Sequence, residues 1–330
     1  MWVPLVAASI FGLALLLGGM KMTETALRVW AGDRLNAALE RTTSTPLRGF
    51  VSGTVTSGLL QSGTAVTLLT IGLVNAGMLP LANSFGILLG TNVGTTLTTE
   101  LIGLRIHRFG LPLLGASLVV WLWTFLSLEA RLAPPLPRHA AEALRYGSAA
   151  TAGFALMLVG FASLQSIGPA LQQNGTFAEW MAFAEQRPVW GLLGGAALSA
   201  LVHSSSAVIG MAMSLADTGT LPAVTGVAVV LGANVGTCFT GLLASLAGGR
   251  GGRFVALSQI ALNVGGTMLF YPLKGELLAV SAAIAPGHPA AQIAHAQTLF
   301  NVACSVLALP IAYLGVRALE PPQSPLARGK

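Results

Sequence analysis

Gly90-Thr91-Asn92-Val93-Gly94-Thr95 and Gly232-Ala233-Asn234-Val235-Gly236-Thr237 carry one pattern, a shift of 142 positions apart. Held at that shift without a gap, the chain also sets Gly77, Leu79 and Pro80 on Gly219, Leu221 and Pro222. It sets Ser62, Ala65 and Val66 on Ser204, Ala207 and Val208, Gly53 on Gly195, and Thr98 on Thr240. A single register that holds over this length marks an internal duplication, and a duplication governs how the rest of the sequence is read.

The repeat lies in a chain unsuited to water. Of 330 residues, 54% are hydrophobic and 8% charged, and the mean hydropathy is +0.75. Soluble domains carry about 25% charged residues, so most of this surface must face lipid. The 40 glycines suit the close approach of membrane helices. The net charge of +6 reads as Lys and Arg marking cytoplasmic loops. No basic run is interleaved with aromatics, which speaks against a nucleic-acid partner. Cys238 and Cys304 sit in apolar stretches and read as core filler rather than a disulfide or metal pair. Residues 3–20 have no basic segment before them and no small-residue cleavage site after them, so they read as a retained first helix.

A helix of about 20 apolar residues crosses a bilayer. That length places crossings near 3–20, 80–102, 111–129, 147–168, 221–245, 255–272 and 293–316. The polar stretches 21–48, 130–146 and 169–188 are loop-sized or hold one amphipathic helix each. The intervals 46–76 and 188–218 differ from clean spans. Each is interrupted by a polar cluster, Gln61-Ser62-Gly63-Thr64 in the first and His203-Ser204-Ser205-Ser206 in the second. Each is expected to form a re-entrant hairpin of two half-helices with the cluster at its tip.

Charge orients these segments. Arg28, Arg34, Arg41 and Arg48 precede the first hairpin and belong in the cytoplasm, whereas Glu179 and Glu185 with Arg187 alone precede the second. The hairpins then enter from opposite faces. Arg105 and Arg108 fall outside in this scheme, against the rule. The expected fold is an all-α polytopic membrane protein with two inverted-topology repeats, each with a re-entrant helical hairpin and a broken transmembrane helix. The first repeat covers 1–130, with its hairpin at 46–76 and broken helix at 80–102. A cytoplasmic linker covers 131–146. The second repeat covers 147–272, with its hairpin at 188–218 and broken helix at 221–245; a C-terminal transmembrane helix and basic tail cover 273–330. Inverted repeats with broken helices belong to secondary transporters, whose site lies at the repeat interface.

The tips carry the first candidate chemistry. A half-helix that starts at depth presents free N–H groups and the positive end of its dipole, which favour an anion. Ser62 and Thr64, with Ser204, Ser205 and Ser206, add hydroxyl donors. Two such tips can surround a tetrahedral oxyanion with neutral donors. An isolated serine in a membrane helix usually bonds its own backbone, but a cluster duplicated at a fixed offset points to a site. The Gly-rich segments at 90–96 and 232–238 suggest breaks whose carbonyls, with the oxygens of Asn92, Thr95, Asn234 and Thr237, suit a hard cation. Helix packing accounts for their glycines but not for the asparagines. A nucleotide loop is excluded, because no Gly-Lys-Ser/Thr follows.

Gln259 with Asn263, and Gln297 with Asn301, each share a helix face; they read as polar interior lining or as interhelical glue. Asp217 and Glu100 are ionisable groups near or within spans and are candidates on that ground. His203 beside Ser204 invites a hydrolase reading, but its repeat partner is Gln61 and no orienting carboxylate is placed, so no enzymatic activity is expected.

At the duplicated Gln61-Ser62-Gly63-Thr64 and His203-Ser204-Ser205-Ser206, each followed by its Gly-x-Asn-Val-Gly-Thr segment, the chain resembles the type II sodium/phosphate cotransporter family, particularly its bacterial members. Gly18-Gly19-Met20-Lys21-Met22, Ala31-Gly32-Asp33-Arg34-Leu35 and Thr298-Leu299-Phe300-Asn301 extend the resemblance over nearly the whole chain. The resemblance implies sodium-coupled transport of inorganic phosphate across a bacterial inner membrane, an elevator-like motion and a homodimer. It implies sodium as coupling ion and no other cofactor. Phosphate ligands would come from Gln61, Ser62, Gly63, Thr64, His203, Ser204, Ser205, Ser206, Asn92 and Asn234. Sodium ligands would come from Gln61, Ser62, Asn92, Thr95, Ser204, Asn234 and Thr237. Against the family's Gln-Ser-Ser-Ser, this chain has Gly63 and Thr64 for two serines and His203 for a glutamine. Imidazole suits sodium poorly and can titrate near neutral pH, which leaves proton coupling open. An exporter, a carrier of another oxyanion such as sulfate or arsenate, and an anion channel are the alternatives.

Overall fold

The computed structural model describes residues 2–130, 132, 134, 136–246 and 249–314. These residues form helices and short connections. The first half contains α1 (Trp2–Thr42), α2 (Pro46–Leu60), α3 (Gly63–Asn75), α4 (Leu81–Gly94) and α5 (Thr96–Gly103), then a short 3-10 turn (Ile106–Phe109) and α6 (Gly110–Leu128). The second half contains α7 (Arg138–Gln172), α8 (Gly175–Gln186), α9 (Val189–Val202), α10 (Ser205–Asp217) and α11 (Ala223–Leu246). It closes with α12 (Arg250–Phe270), α13 (Lys274–Ile284) and α14 (Pro289–Leu314).

Local chemistry sets many of these boundaries. Proline lacks an N–H and fixes φ, so it suits helix starts. Pro46 opens α2, Pro80, Pro137 and Pro188 sit at the N-caps of α4, α7 and α9, and Pro289 opens α14. Thr45 caps α2 by accepting from the Arg48 N–H. Gly77 and Gly219 follow α3 and α10 at φ 72° and 70°, the left-handed region that glycine enters at least cost.

Six helical segments are long and apolar enough to cross a membrane: Pro4–Gly32, Ile106–Leu128, Arg138–Gln172, Ala223–Leu246, Arg250–Phe270 and Pro289–Leu314. The expected first crossing at 3–20 proves to be part of a 41-residue helix. Residues 21–42 contain no proline and are rich in Ala, Leu, Arg and Glu, so nothing ends the helix after its apolar run. At 1.5 Å per residue α1 is about 60 Å long, twice the ~30 Å hydrocarbon core. The linker 131–146 is likewise partly helical, because α7 begins at Arg138. The basic tail at 315–330, with Arg317, Arg328 and Lys330, lies outside the described residues, as does Arg131.

The expectation of a broken helix at 221–245 is corrected. α11 runs unbroken from Ala223 to Leu246 through the Gly-rich segment. In the first half the helix is interrupted between α4 and α5 at Thr95 alone, where the Thr95 N–H still donates to the Thr91 carbonyl at 3.1 Å. The glycines serve packing. A Cβ on Gly90 would overlap the Phe50 carbonyl oxygen, and one on Gly94 the Thr54 oxygen. At the repeated positions, Gly232 meets the Leu192 oxygen and Gly236 the Ala196 oxygen. From the other side Gly53 meets the Ile87 oxygen and Gly195 that of Val229. Two small-residue seams, α2 on α4 and α9 on α11, therefore recur at the same offset, and the backbones approach as only glycine allows. Gly19 and Gly153 make a third seam between α1 and α7.

The intervals 46–76 and 188–218 fold as helix pairs. α2 and α3 meet at Gln61-Ser62, and α9 and α10 meet at His203-Ser204. Ile209 and Met213 of α10 pack with Val230 of α11 and Ile293 of α14 in the largest apolar cluster. Val66 and Ile71 of α3 pack with Ile87 of α4 and Val255 of α12 in another. These clusters pack the second helix of each pair, α3 and α10, against the rest of the bundle.

Candidate functional site

The two turns have the same local geometry. Gln61 ends α2 at φ 54°, ψ 29°, and His203 ends α9 at φ 54°, ψ 30°. Both are left-handed conformations, which cost a side-chain-bearing residue roughly 1–2 kcal/mol. Ser62 and Ser204 follow in extended conformation and cap α3 and α10, each Oγ accepting from the N–H three residues on, Ala65 and Ala207, at 3.2 Å. The caps satisfy one orphan N–H in each helix. The N–H groups of residues 63 and 64, and of 205 and 206, have no intrahelical partner by geometry.

All twelve residues singled out as ligands border one cavity of about 490 Å³. Gln61, Ser62, Gly63 and Thr64 face His203, Ser204, Ser205 and Ser206 across it, and Asn92, Thr95, Asn234 and Thr237 form part of its wall. Thr95 Oγ1 donates to the Asn92 carbonyl and Thr237 Oγ1 to the Asn234 carbonyl, each at 2.9 Å. Thr98 Oγ1 donates to Gln61 Oε1 at 2.8 Å, and His203 Nδ1 lies 2.9 Å from Thr240 Oγ1. The first tip is thus tied to α5 and the second to α11.

An amide network joins the halves. Gln259 Nε2 donates to Asn92 Oδ1 at 2.7 Å, and Asn92 Nδ2 donates to Asn263 Oδ1 at 3.0 Å. Asn263 Nδ2 then donates to the Asn234 carbonyl at 2.8 Å. The Asn92 and Asn263 side chains therefore act as interhelical ties, whereas Asn234 Nδ2 donates to the Val230 carbonyl of its own helix at 2.8 Å. Two buried cavity-lining atoms, Gln259 Oε1 and Thr91 Oγ1, have no hydrogen-bond partner among the described residues. Such groups are costly to leave unpaired and suit ligand contact. Gln297 is buried away from the cavity and accepts from Thr99 Oγ1 at 2.6 Å.

Charge enters at the rim. Lys21, Glu24 and Arg28 of α1 border the cavity. Lys21 Nζ lies 3.2 Å from Glu24 Oε1, with the lysine largely exposed. The spacing of three and four residues puts them on one helix face. Among the described residues no group of three His, Cys, Asp or Glu stands close enough to hold a metal ion.

A model described as Na+/Pi-cotransporter matches residues 15–166 and again 156–319. The chain belongs to the Na+/Pi-cotransporter family. The two matches each take one half of the chain, in accord with its duplication. Over 304 residues it is 30% identical to "Uncharacterized protein YqeW" of Bacillus subtilis, covering 92% of this chain and 94% of that one. It is 26% identical over 261 residues to "Putative inorganic phosphate export protein YjbB" of Escherichia coli K12, covering 78% of this chain and 45% of that one. A stretch of 126 residues, 37% of this chain and 20% of the relative, is 32% identical to "Sodium-dependent phosphate transport protein 2A" of Oryctolagus cuniculus. No solved structure matches the chain.

For this Na+/Pi-cotransporter family member, the site has residues beyond those found by motif. Lys21 and Arg28 lie far from either tip in sequence, and only their shared face with Glu24 hints at a common role. Gln259 was legible as part of an amide pair, Thr91 not at all, because its repeat partner is Ala233. The anomalous Arg105 and Arg108 also find their place. Arg105 lies 3.5 Å from Asp217 Oδ2 and 2.8 Å from His288 Nδ1, and the Arg108 guanidinium lies 5.0 Å from the Phe109 ring centre.

Proposed function

We propose that the protein is a secondary active transporter of inorganic phosphate that works by alternating access and is coupled to sodium. The observation that supports it most is the pair of Ser-capped helix N-termini, at Ser62 and Ser204, facing one cavity with Lys21 and Arg28 at its rim. The free N–H groups at residues 63, 64, 205 and 206 and the hydroxyls of Thr64, Ser205 and Ser206 would bind the phosphate oxygens. Gln61 and His203 would hold the tips in register. Oxygens of Asn92, Thr95, Asn234 and Thr237, with the side chains of Gln61, Ser62 and Ser204, would serve sodium, which prefers hard oxygen ligands.

In this reading α2–α3 and α9–α10 are re-entrant pairs that enter from opposite faces of an inner membrane. Their helices have 15, 13, 14 and 13 residues, or about 20–22 Å each, too short for a ~30 Å core. Similarity to a relative named for phosphate export supports a second reading, outward transport by the same site. The test is radiolabelled phosphate flux in proteoliposomes of known orientation, with and without a sodium gradient. Accumulation above equilibrium that requires sodium supports the proposal. Flux that never exceeds equilibrium under any ion gradient favours a channel.

A further inference from the structure

A second cluster of ionisable groups stands apart from the cavity. Glu100 on α5 meets His295 on α14, with Nδ1 2.9 Å from Oε2 and 3.1 Å from Oε1. Thr298 Oγ1 donates to Glu100 Oε1 at 2.5 Å. Each side chain of the ionisable pair is 27% exposed. Both helices lie against the helix bundle: Ile102 of α5 and Ile293 of α14 belong to the largest apolar cluster. None of the three residues borders the cavity. Ionisable residues in such a setting are expensive to maintain, and where they persist they mark ion pathways or proton relays.

The pair is mechanically connected to the anion cavity. Successive residues of α5 reach different partners: Thr98 bonds Gln61 at the first tip, Thr99 bonds Gln297, and Glu100 bonds His295 and Thr298. α5 is one eight-residue helix, joined to α4 at Thr95, which itself borders the cavity. A change in the grip between α5 and α14 is therefore passed to Gln61 by a single short element.

The charged neighbours are accounted for. Asp217 at the end of α10 is held by Arg105 at 3.5 Å and Gln165 at 2.7 Å, and Arg105 also meets His288 at 2.8 Å. His107 and Arg108 lie in the 3-10 turn, where the His107 ring packs on Phe161 and Arg108 on Phe109. On α13, Glu276 is exposed and Lys274 lies over the Tyr271 ring. Arg48 of α2 follows Leu47, whose N–H donates to Tyr313 near the other end of α14, and Phe254, beside Arg253 and four residues from Arg250 in α12, packs with Ala308 and Ala312 at that end. Cys238 of α11 hydrogen-bonds Asn234 and Gln259, and Cys304 lies nine residues beyond His295 on α14. Among the described residues, only Thr298 hydrogen-bonds to the pair besides its two members.

We propose that Glu100 and His295 form a proton-binding site, separate from the anion cavity and linked to it through α5. With Nδ1–H donated to the carboxylate, an arriving proton binds Nε2. The pair passes from a net charge of −1 to a neutral imidazolium–carboxylate, and the proton returns to solvent when the pair reopens. Linkage then requires that protonation and anion binding affect each other by one factor. The anion is phosphate by the reading above, on which this part rests.

The test uses the full chain in proteoliposomes, comparing wild type with Glu100→Gln and His295→Asn. Phosphate exchange without gradients is measured first, then phosphate accumulation driven by an imposed pH gradient with sodium equal inside and outside, with protein-free liposomes as the blank. Both variants should keep exchange and lose pH-driven accumulation by at least about five-fold. Accumulation undiminished in both, or a wild type that exchanges phosphate but ignores the pH gradient, overturns the proposal. If the wild type does not exchange phosphate, the reading of the anion fails, and the pair is judged by melting temperature between about pH 5 and about pH 8. A wild-type pH dependence reduced in both variants then supports the site, and an equal dependence in all three overturns it. If neither variant folds, Thr298→Val replaces them in the same two assays with the same criteria.

Discussion

His203 and Thr240 are hydrogen-bonded at 2.9 Å, and the bond repeats, with different chemistry, the one between Gln61 and Thr98 at 2.8 Å. Both partners are shifted by the same 142 positions, so an imidazole does in one half what an amide does in the other. The bond ties a left-handed turn residue to α11 in one half and α5 in the other and fixes where each tip stands over the cavity.

His203→Gln should therefore retain function, because an amide can still reach Thr240. His203→Leu removes the partner and leaves the strained backbone, and phosphate flux should fall about tenfold, the scale of a lost hydrogen bond of 1–3 kcal/mol. The check is initial-rate uptake for both variants at matched protein density. Equal flux in the two would show that the bond does not position the tip.

The serines separate by role. Ser205 makes no cap, and Ser205→Ala should weaken phosphate binding by about 1–3 kcal/mol with little change in melting temperature. Ser62 caps α3 through Ala65, so Ser62→Ala should also cost stability, about 1 kcal/mol for a lost N-cap. Ser62→Asn should restore the stability without the binding. Thermal unfolding with and without inorganic phosphate reads both quantities. Phosphate protection undiminished by Ser205→Ala would remove Ser205 from the site.

Rim charge should act at long range. Lys21→Gln and Arg28→Gln should each raise KM for phosphate by about two- to fivefold at low salt with little change in maximal rate, since steering depends on field rather than contact. The effect should shrink as ionic strength rises and the Debye length falls to about 8 Å. A KM change that persists in high salt would point instead to direct binding.

The glycine seams give a stability prediction. Gly90→Ala and Gly232→Ala place a methyl group on a carbonyl oxygen and should each destabilise by about 1–3 kcal/mol or more. Gly265→Ala, with nothing within 4 Å of its added carbon, is the control and should be neutral or stabilising, because alanine is the better helix former. Melting temperatures of purified protein in detergent decide it.

Much of this was legible in the residues. The offset between Gly90 and Gly232 gave the duplication, and polar clusters inside apolar intervals gave the helix pairs meeting at Gln61 and His203. The length of α1 was not legible from hydropathy, because a helix does not stop where its lipid-facing stretch stops. The supposed break at 232–238 failed for a related reason. Glycine can loosen a helix or let it touch another, and only the presence of Phe50 and Leu192 opposite decides which. Glu100 was noticed as an ionisable group, but His295 is 195 residues away, and no periodicity links them.

The seams have a mechanical consequence. Where a backbone rests on a backbone there is no side chain to yield, so α2 cannot slide along α4, nor α9 along α11, without collision. Each pair is one stiff block. Any exchange of access must be taken up in the short turns flanking the blocks, at residues 76–80 and 218–222, and in contacts between the halves other than the α1–α7 seam. Rigidity in this molecule is supplied by glycine, the residue more often credited with compliance.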